Sequence, residues 1–251
     1  LAYLENRIKI EPQALGNLPT THYPLPTDVD ISWVKGQEYA KRALEITAAG
    51  GHNLFMFGPP GGGKSLLAKA LPSILPRLNF AESLEVTKIY SVAGLLPENQ
   101  TLVKTRPFRA PHHVSSDVAL VGGGTPPRIG EVTLAHRGVL FLDEFPEFHR
   151  DVLESLRQPL EDGKITISRA KYNVSYPARF MLVAASNPCP CGYLSDPEKN
   201  CTCTPSQVAM YRRKLSGPLM DRLDLFIEVP AVKYEKLTAS SPENQSETIR
   251  Q

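Results

Sequence analysis

One stretch constrains this chain more than any other: Asn53 to Ala70, which reads Asn-Leu-Phe-Met-Phe-Gly-Pro-Pro-Gly-Gly-Gly-Lys-Ser-Leu-Leu-Ala-Lys-Ala. The apolar run Leu54 to Phe57 ends at Gly58, and four residues then lead to Gly63, Lys64, Ser65 and a helical pattern. This is G-x-x-x-x-G-K-[ST] between a strand and a helix, the setting in which such a loop cradles phosphates. Glycines 58, 61, 62 and 63 let the backbone turn tightly and aim its N–H groups at phosphate oxygens, and the helix opening at Lys64 adds its positive dipole end. Lys64 is expected to reach the β- and γ-phosphates, and the Ser65 hydroxyl to hold Mg²⁺. The rival reading is a glycine-rich turn joining any strand to any helix. The strand before and the helix after favour nucleotide.

A phosphate loop needs acids at a neighbouring strand edge, and the sequence supplies them. Gly138-Val-Leu-Phe-Leu is an apolar run ending in Asp143-Glu144, about eighty residues after the loop. Read as a buried parallel strand, it puts both carboxylates at the C-terminal edge, where open α/β sheets bind ligands. Asp143 is expected to hold Mg²⁺, and Glu144 to orient and deprotonate the attacking water. A second buried strand, Phe180 to Ala185, ends at Ser186-Asn187. Asn187 there either positions that water or simply starts a turn before Pro188. Arg222 precedes a last apolar strand. It either pairs with Asp221 or Asp224, or serves as an arginine finger for a neighbouring subunit.

The rest of the chain reads in order. Residues 1–30 carry Pro12, Pro19, Pro24 and Pro26 with little periodicity, as a linker or remnant of a preceding domain does. Gly36-Gln37 opens a helix, Glu38 to Ala48, ending at Gly50-Gly51. The phosphate-loop helix runs to Leu75 and is closed by Pro76. Residues 80–96 read as a helix and then a loop.

Lys104 to Arg137 is basic, with Arg106, Arg109, His112, His113, Arg128, His136 and Arg137 against only Asp117 and Glu131. Its glycine- and proline-rich centre, Val121 to Arg128, is expected to be a loop without regular structure. This clustering marks either a polyanion contact or a solvated face. Asp151 to Leu160 is amphipathic and ends at Gly163. Lys164 to Ser168 and Tyr172 to Tyr176 alternate as a hairpin whose tip carries Arg169 and Lys171, further candidates for DNA.

Cys189, Cys191, Cys201 and Cys203 form two C-x-C pairs within fifteen residues, and they are all the cysteines of the chain. Four thiolates so close suit a tetrahedral zinc site with no position open for substrate, hence a structural one. Two disulfides are the alternative in an oxidising compartment. No apolar run approaches the ~20 residues of a membrane span, and the first residues do not read as a signal peptide. A net charge of +2 identifies no partner by itself.

Phosphate loop, Asp143-Glu144, Asn187 and Arg222, in this order, resemble an AAA+ ATPase. Gly36-Gln37, Arg106-Pro-Phe-Arg-Ala-Pro-His-His113, Asn187-Pro-Cys-Pro-Cys-Gly192 and Leu215-Ser-Gly-Pro-Leu-Met-Asp-Arg-Leu-Asp224 narrow the likeness to the ComM/YifB branch of the magnesium-chelatase-like proteins. It extends over about residues 28–250.

The resemblance implies a P-loop NTPase core: a parallel α/β sheet flanked by helices, with a helix-2 insertion and a pre-sensor-1 β-hairpin. It makes Gly58 to Ser65 Walker A, Asp143 and Glu144 Walker B, Asn187 sensor 1 and Arg222 the finger. Nucleotide contacts are then expected from Gln37, Gly58, Pro59, Gly61, Gly62, Gly63, Lys64, Ser65 and Leu66. Residues 104–137 fall in the insertion and 164–176 in the hairpin, both facing a central channel.

The expected domains are the core over 31–235, with a zinc loop at 188–204, and from 236 to 251 the start of a connection to a C-terminal lid. The resemblance also implies a Lon-protease-like N-terminal domain and a lid carrying a sensor-2 arginine. Neither is recognisable here, so the sequence reads as a piece of a longer protein. The implied activity is a cytoplasmic bacterial hexameric helicase that uses ATP and Mg²⁺ to drive branch migration of DNA, with a structural Zn²⁺. Metal-insertion chaperones of the chelatase type and Lon-type protein unfoldases are the competing classes.

Overall fold

Strand alternation decides the architecture. The computed structural model describes residues 29–97, 101–124, 127–169, 172–194, 196, 199–215, 217–232 and 245–250. Along them run α1 (Glu38–Gly50), β1 (Leu54–Phe57), α2 (Lys64–Ile74), α3 (Phe80–Val92), β2 (Phe108–Arg109), α4 (Asp117–Val121), β3 (Gly122–Gly123), β4 (Arg128–Ile129) and α5 (Glu131–Leu134). Then come β5 (Val139–Leu142), α6 (Arg150–Glu154), α7 (Arg157–Asp162), β6 (Lys164–Arg169), β7 (Tyr172–Pro177), β8 (Met181–Ser186), α8 (Pro205–Arg213), β9 (Leu225–Glu228) and α9 (Gln245–Arg250).

Five strands form one sheet in the order β2-β5-β8-β1-β9, and every neighbouring pair is parallel. Successive side chains of a strand point to opposite faces. Leu54, Met56, Val139, Phe141, Val183 and Ala185 therefore fill one core, against Leu44 of α1 and Leu67 and Leu71 of α2. Phe55, Leu140, Leu142, Leu182 and Ala184 fill the other, against Val152, Leu156, Ile165 and Ile167. A strand buried on both faces reads as a continuous apolar run. That is why the sequence locates β1, β5 and β8 so well.

Helix ends follow their local chemistry. The α1 helix stops where Gly51 takes a left-handed conformation and its N–H bonds Thr47 O. The α3 helix starts in a capping box, Asn79 accepting from the Glu82 N–H while Glu82 accepts from the Asn79 N–H. At the C-terminus α9 packs on α2. The buried Ser246 hydroxyl accepts from the Ile31 N–H at 3.0 Å and lies 2.7 Å from the Ser73 hydroxyl.

One sequence expectation needs correction. The Val121-to-Arg128 stretch is not a structureless loop: Val121 closes α4, and Gly122-Gly123 pairs antiparallel with Arg128-Ile129. Gly122 sits at φ +97°, and a Cβ there would lie 2.6 Å from Arg128 O. Glycine thus builds this ladder rather than breaking it. The amphipathic segment 151–160 folds as two helices, α6 and α7. Pro159 has no N–H to give the Ser155 carbonyl, and Leu156 bonds back to Leu153 O instead.

The α4-to-α5 segment lies between β2 and β5, the place expected for the insertion, and the β6–β7 hairpin precedes β8. Residues 1–28 and most of 236–251 lie outside the described residues. Among the described residues no helix is long and apolar enough to cross a membrane.

Candidate active site

The site is built at the C-terminal edge of β1, β5 and β8. Gly58 leaves β1 and runs against the chain beyond β9; a Cβ on it would lie 2.0 Å from Val229 O, so only glycine fits. Lys64 opens α2 and is buried, 8% exposed. Its ammonium donates to Gly58 O at 2.7 Å, Pro59 O at 2.9 Å and Asn187 Oδ1 at 3.2 Å. Burial lowers its pKa below the ordinary lysine value, and the charge of Asp143 works against that shift. Ser65 Oγ donates to Asp143 Oδ2 at 2.6 Å.

Two neighbouring ligands of an octahedral Mg²⁺ with bonds of 2.0–2.1 Å stand about 2.9 Å apart. The hydroxyl and carboxylate would need to part by only a few tenths of an ångström to share one. The oxygen donor set and this spacing fit Mg²⁺. The nucleotide candidates thus fall together: backbone N–H groups, a helix start, one buried ammonium and a Ser–Asp pair.

Glu144 lies beside them. Its backbone takes φ +52°, rare for a residue with a side chain, and its N–H donates to Asp143 Oδ1 at 3.0 Å. Among the described residues only Gln37, Arg137 and Glu144 are non-glycines with positive φ, and two of these adjoin the site. Gln37 Nε2 donates to Gly62 O at 3.2 Å and Pro230 O at 2.6 Å, tying the phosphate loop to the chain after β9. Leu66 packs against the first core. Pro59 is half-buried, Gly61 is exposed, and Gly62 and Gly63 complete the turn into α2.

Arg222 is placed elsewhere. It ends a 3₁₀ turn before β9, at the opposite edge of the sheet. Its guanidinium donates to Pro218 O at 2.6 Å and pairs with Glu161, while its carbonyl accepts from Asn53 Nδ2. Asn53 precedes β1 and Gly58 follows it, so about 16 Å of extended chain separates Arg222 from its own phosphate loop. That exceeds the reach of an arginine side chain.

The basic stretch is largely spent inside the molecule. Arg106 bonds Pro76 O and Arg137 O and pairs with Glu82 at 3.3 Å. Arg109 grips Glu131 through two bonds of 2.5 and 2.8 Å. His113 Nδ1 stands 2.9 Å from Glu144 Oε2, with the His112 ring tilted against it at 4.2 Å between centroids and Phe148 edge-on at 6.4 Å. This contact to the expected catalytic base has no signal in the sequence, where His113 is one of several basic residues. Arg128 and His112 are exposed. The Arg169 side chain and Lys171 lie outside the described residues.

Replacing Arg106 or Arg109 by Ala is therefore expected to cost about 1–3 kcal/mol of stability, read as a lower melting temperature. Arg128→Ala should leave melting unchanged and lower polyanion affinity. The reverse pattern would return Arg106 and Arg109 to the surface role.

The four cysteines do meet. Their sulfurs all lie within 4.8 Å of one another and none is bonded to another. Three Sγ–Sγ separations are 3.4, 3.7 and 3.5 Å. Four thiolates at ~2.3 Å from one Zn²⁺ would be about 3.8 Å apart, so the residues fit a tetrahedral Zn²⁺. The Tyr193 and Thr202 N–H groups lower the Cys191 pKa to about 5. Cys203, although it accepts from the Cys191 N–H, is pushed up to about 12 by burial and the neighbouring thiols. Only a cation among them would let all four sulfurs carry negative charge together.

Comparison with known proteins decides the lineage. A family profile described as magnesium chelatase, subunit ChlI, matches residues 30–237. The chain belongs to that family. Among magnesium-chelatase-like relatives, a protein named YifB from Escherichia coli K12 is 48% identical over 91% of this chain and 46% of its own length. Competence protein ComM of Haemophilus influenzae is 51% identical over 83% of this chain and 40% of its own. The chain spans about half the length of the curated relatives it matches. A solved structure of the BchI–BchD complex of magnesium chelatase superposes with a TM-score of 0.54 at 22% identity, covering 90% of this chain and 65% of that one. It shares the AAA+ ATPase fold.

Proposed function

We propose that this chain is the ATP-hydrolysing core of a ring-forming motor that acts on DNA in the manner of ComM, promoting branch migration during recombination. The observation that carries the reading is the meeting of Lys64, Ser65, Asp143 and Asn187 at one phosphate loop, with Glu144 beside them. In this reading Glu144 takes a proton from the water attacking the γ-phosphate in line, and Asn187 orients that water. Lys64, together with a Mg²⁺ that Ser65 and Asp143 would hold, would neutralise the charge that develops as the γ-phosphate parts from ADP. Gln37, Gly58 to Gly63 and Leu66 shape the pocket.

Arg222, beyond reach of its own loop, serves a neighbouring subunit, so the active unit is a homo-oligomer. The resemblance to hexameric ComM-like motors makes a six-subunit ring the expected assembly. A structural Zn²⁺ sits on the four cysteines, and the site is cytoplasmic in a bacterium. Residues 31–235 form the core, preceded by a linker or remnant of a preceding domain and followed over 236–251 by the start of a connection to a C-terminal lid, whose α9 packs back on α2.

The resemblance to ComM-like helicases is the ground for DNA as the partner, with Arg128 and His112 on the insertion, and Arg169 and Lys171, as its contacts. One observation favours a second reading, a protein-remodelling motor: Arg106 and Arg109 are committed to Glu82 and Glu131, so the insertion is less basic than its sequence suggests. The ATPase rate of the full-length protein, with and without forked or single-stranded DNA over a salt series, separates the two. The DNA motor predicts stimulation whose apparent DNA affinity falls with salt at about 0.7–0.9 log units per log salt for each phosphate contact. An ATPase indifferent to DNA would favour protein remodelling.

A further inference from the structure

The cysteine loop touches the nucleotide site at both of its ends. At the first end, Cys189 stands two residues after Asn187, and its carbonyl accepts from the Gly192 N–H at 3.0 Å in a turn. Gly192 lies flat against the phosphate loop. It has φ +86°, and a Cβ on it would meet the Pro60 ring at 2.7 Å, with Asn187 Cγ at 3.8 Å. At the second end, Thr204 directly follows Cys203 and caps α8 through a capping box with Gln207. The α8 helix then places the buried Tyr211 hydroxyl 3.4 Å from Ser186 Oγ, which itself donates to Asn187 O at 2.8 Å. Between the two ends, Pro188, Leu194 and Asp196 wall a cavity of about 380 Å³ whose other side is Gly58 and Pro59.

We propose that the cysteine cluster is a metal-held clamp: a cation bound by Cys189, Cys191, Cys201 and Cys203 fixes Asn187 and the Pro60 turn in their nucleotide-binding positions. The proposal rests on the zinc reading above and adds a role to it. Asn187 reaches the Lys64 ammonium across 3.2 Å, so a shift of the loop that carries it alters the polar surface the phosphates meet. Of the four ligands only Cys189 is buried, and Tyr193 and Leu194 beside the first pair are half-buried. In so small a segment the cation supplies the order that apolar burial does not. A misplacement of 1 Å in such a constellation costs about 10²-fold in rate.

Two perturbations of the full-length protein test this, with metal content by elemental analysis and affinity for a fluorescent ATP analogue as readouts. The first is removal of the metal with a chelator, followed by readdition of Zn²⁺, or of Co²⁺, whose thiolate absorption reports four-sulfur ligation. The second is Gly192→Ala, which keeps every ligand but drives a methyl into Pro60. One metal per chain is expected in the native protein and in Gly192→Ala. Chelation and Gly192→Ala should each weaken nucleotide binding by about tenfold, 1.4 kcal/mol, and readdition should restore it only in the native sequence.

Absence of bound metal in the native protein would overturn the zinc reading and the clamp together. Metal at one per chain with unchanged nucleotide affinity after both perturbations would overturn the clamp and leave the zinc reading standing. Weakening on chelation with Gly192→Ala unaffected would overturn the Pro60 contact as the route.

Discussion

Glu144→Gln is expected to leave nucleotide affinity within a few-fold of the native value and to lower ATP turnover by about 10²–10⁴-fold. The amide matches the carboxylate in size but cannot take a proton from water. Glu144 touches neither Lys64 nor Ser65; its partners are the Asp143 carboxylate, through its own N–H, and the His113 ring. Phosphate and metal contacts should therefore survive the change. An equilibrium titration with a fluorescent nucleotide and a steady-state phosphate assay on the same preparation read the two quantities separately. Native turnover in this variant would falsify the assignment of the base. Loss of binding together with turnover would instead mean that Glu144 supports the loop.

Arg222→Ala is expected to lower the ATPase of assembled protein by about 10³–10⁵-fold, the usual worth of an arginine finger. Under the finger reading the effect is intermolecular. Arg222 stands at the edge of the sheet opposite its own phosphate loop, held by Pro218 O and Glu161. Mixing Arg222→Ala with Lys64→Ala subunits places an intact Arg222 against an intact Lys64 at some interfaces, and part of the activity should return. Glu161→Gln is the control for fold: it weakens the internal ion pair but leaves the guanidinium, so turnover should stay near native. Arg222→Ala subunits that gain nothing from mixing would assign Arg222 to the internal pair alone.

Much of this site is legible in the amino-acid sequence because its chemistry is local. Gly58 to Ser65 is a contiguous motif, and its glycines carry the backbone requirement in their own identity. Asp143 and Asn187 are legible for a related reason. Each ends a run of apolar residues, and a parallel strand buried on both faces has to look like that. The cysteines announce themselves by number and spacing, and their sulfurs meet as that spacing implies. Arg222 is legible as a candidate, but its distance from Gly58 comes only from the sheet order.

The partners of the basic residues are not legible. Arg106 meets Glu82, Arg109 meets Glu131 and His113 meets Glu144, pairs 24, 22 and 31 residues apart that belong to different elements. A charged side chain does not encode its partner in its neighbours. Long-range packing brings the two together, so the same arginine reads as a DNA contact or as a structural strut until the fold is known. The Gly122-Gly123 ladder belongs to this class too, since a glycine pair is judged by what pairs across it. The sequence alone determined the phosphate loop, the acid and asparagine strand ends and the thiol cluster, because each is fixed by short-range covalent order. Tertiary structure alone decided which charges face solvent, which side of the sheet Arg222 occupies and where the cysteine loop rests, because those depend on contacts between segments remote in the chain.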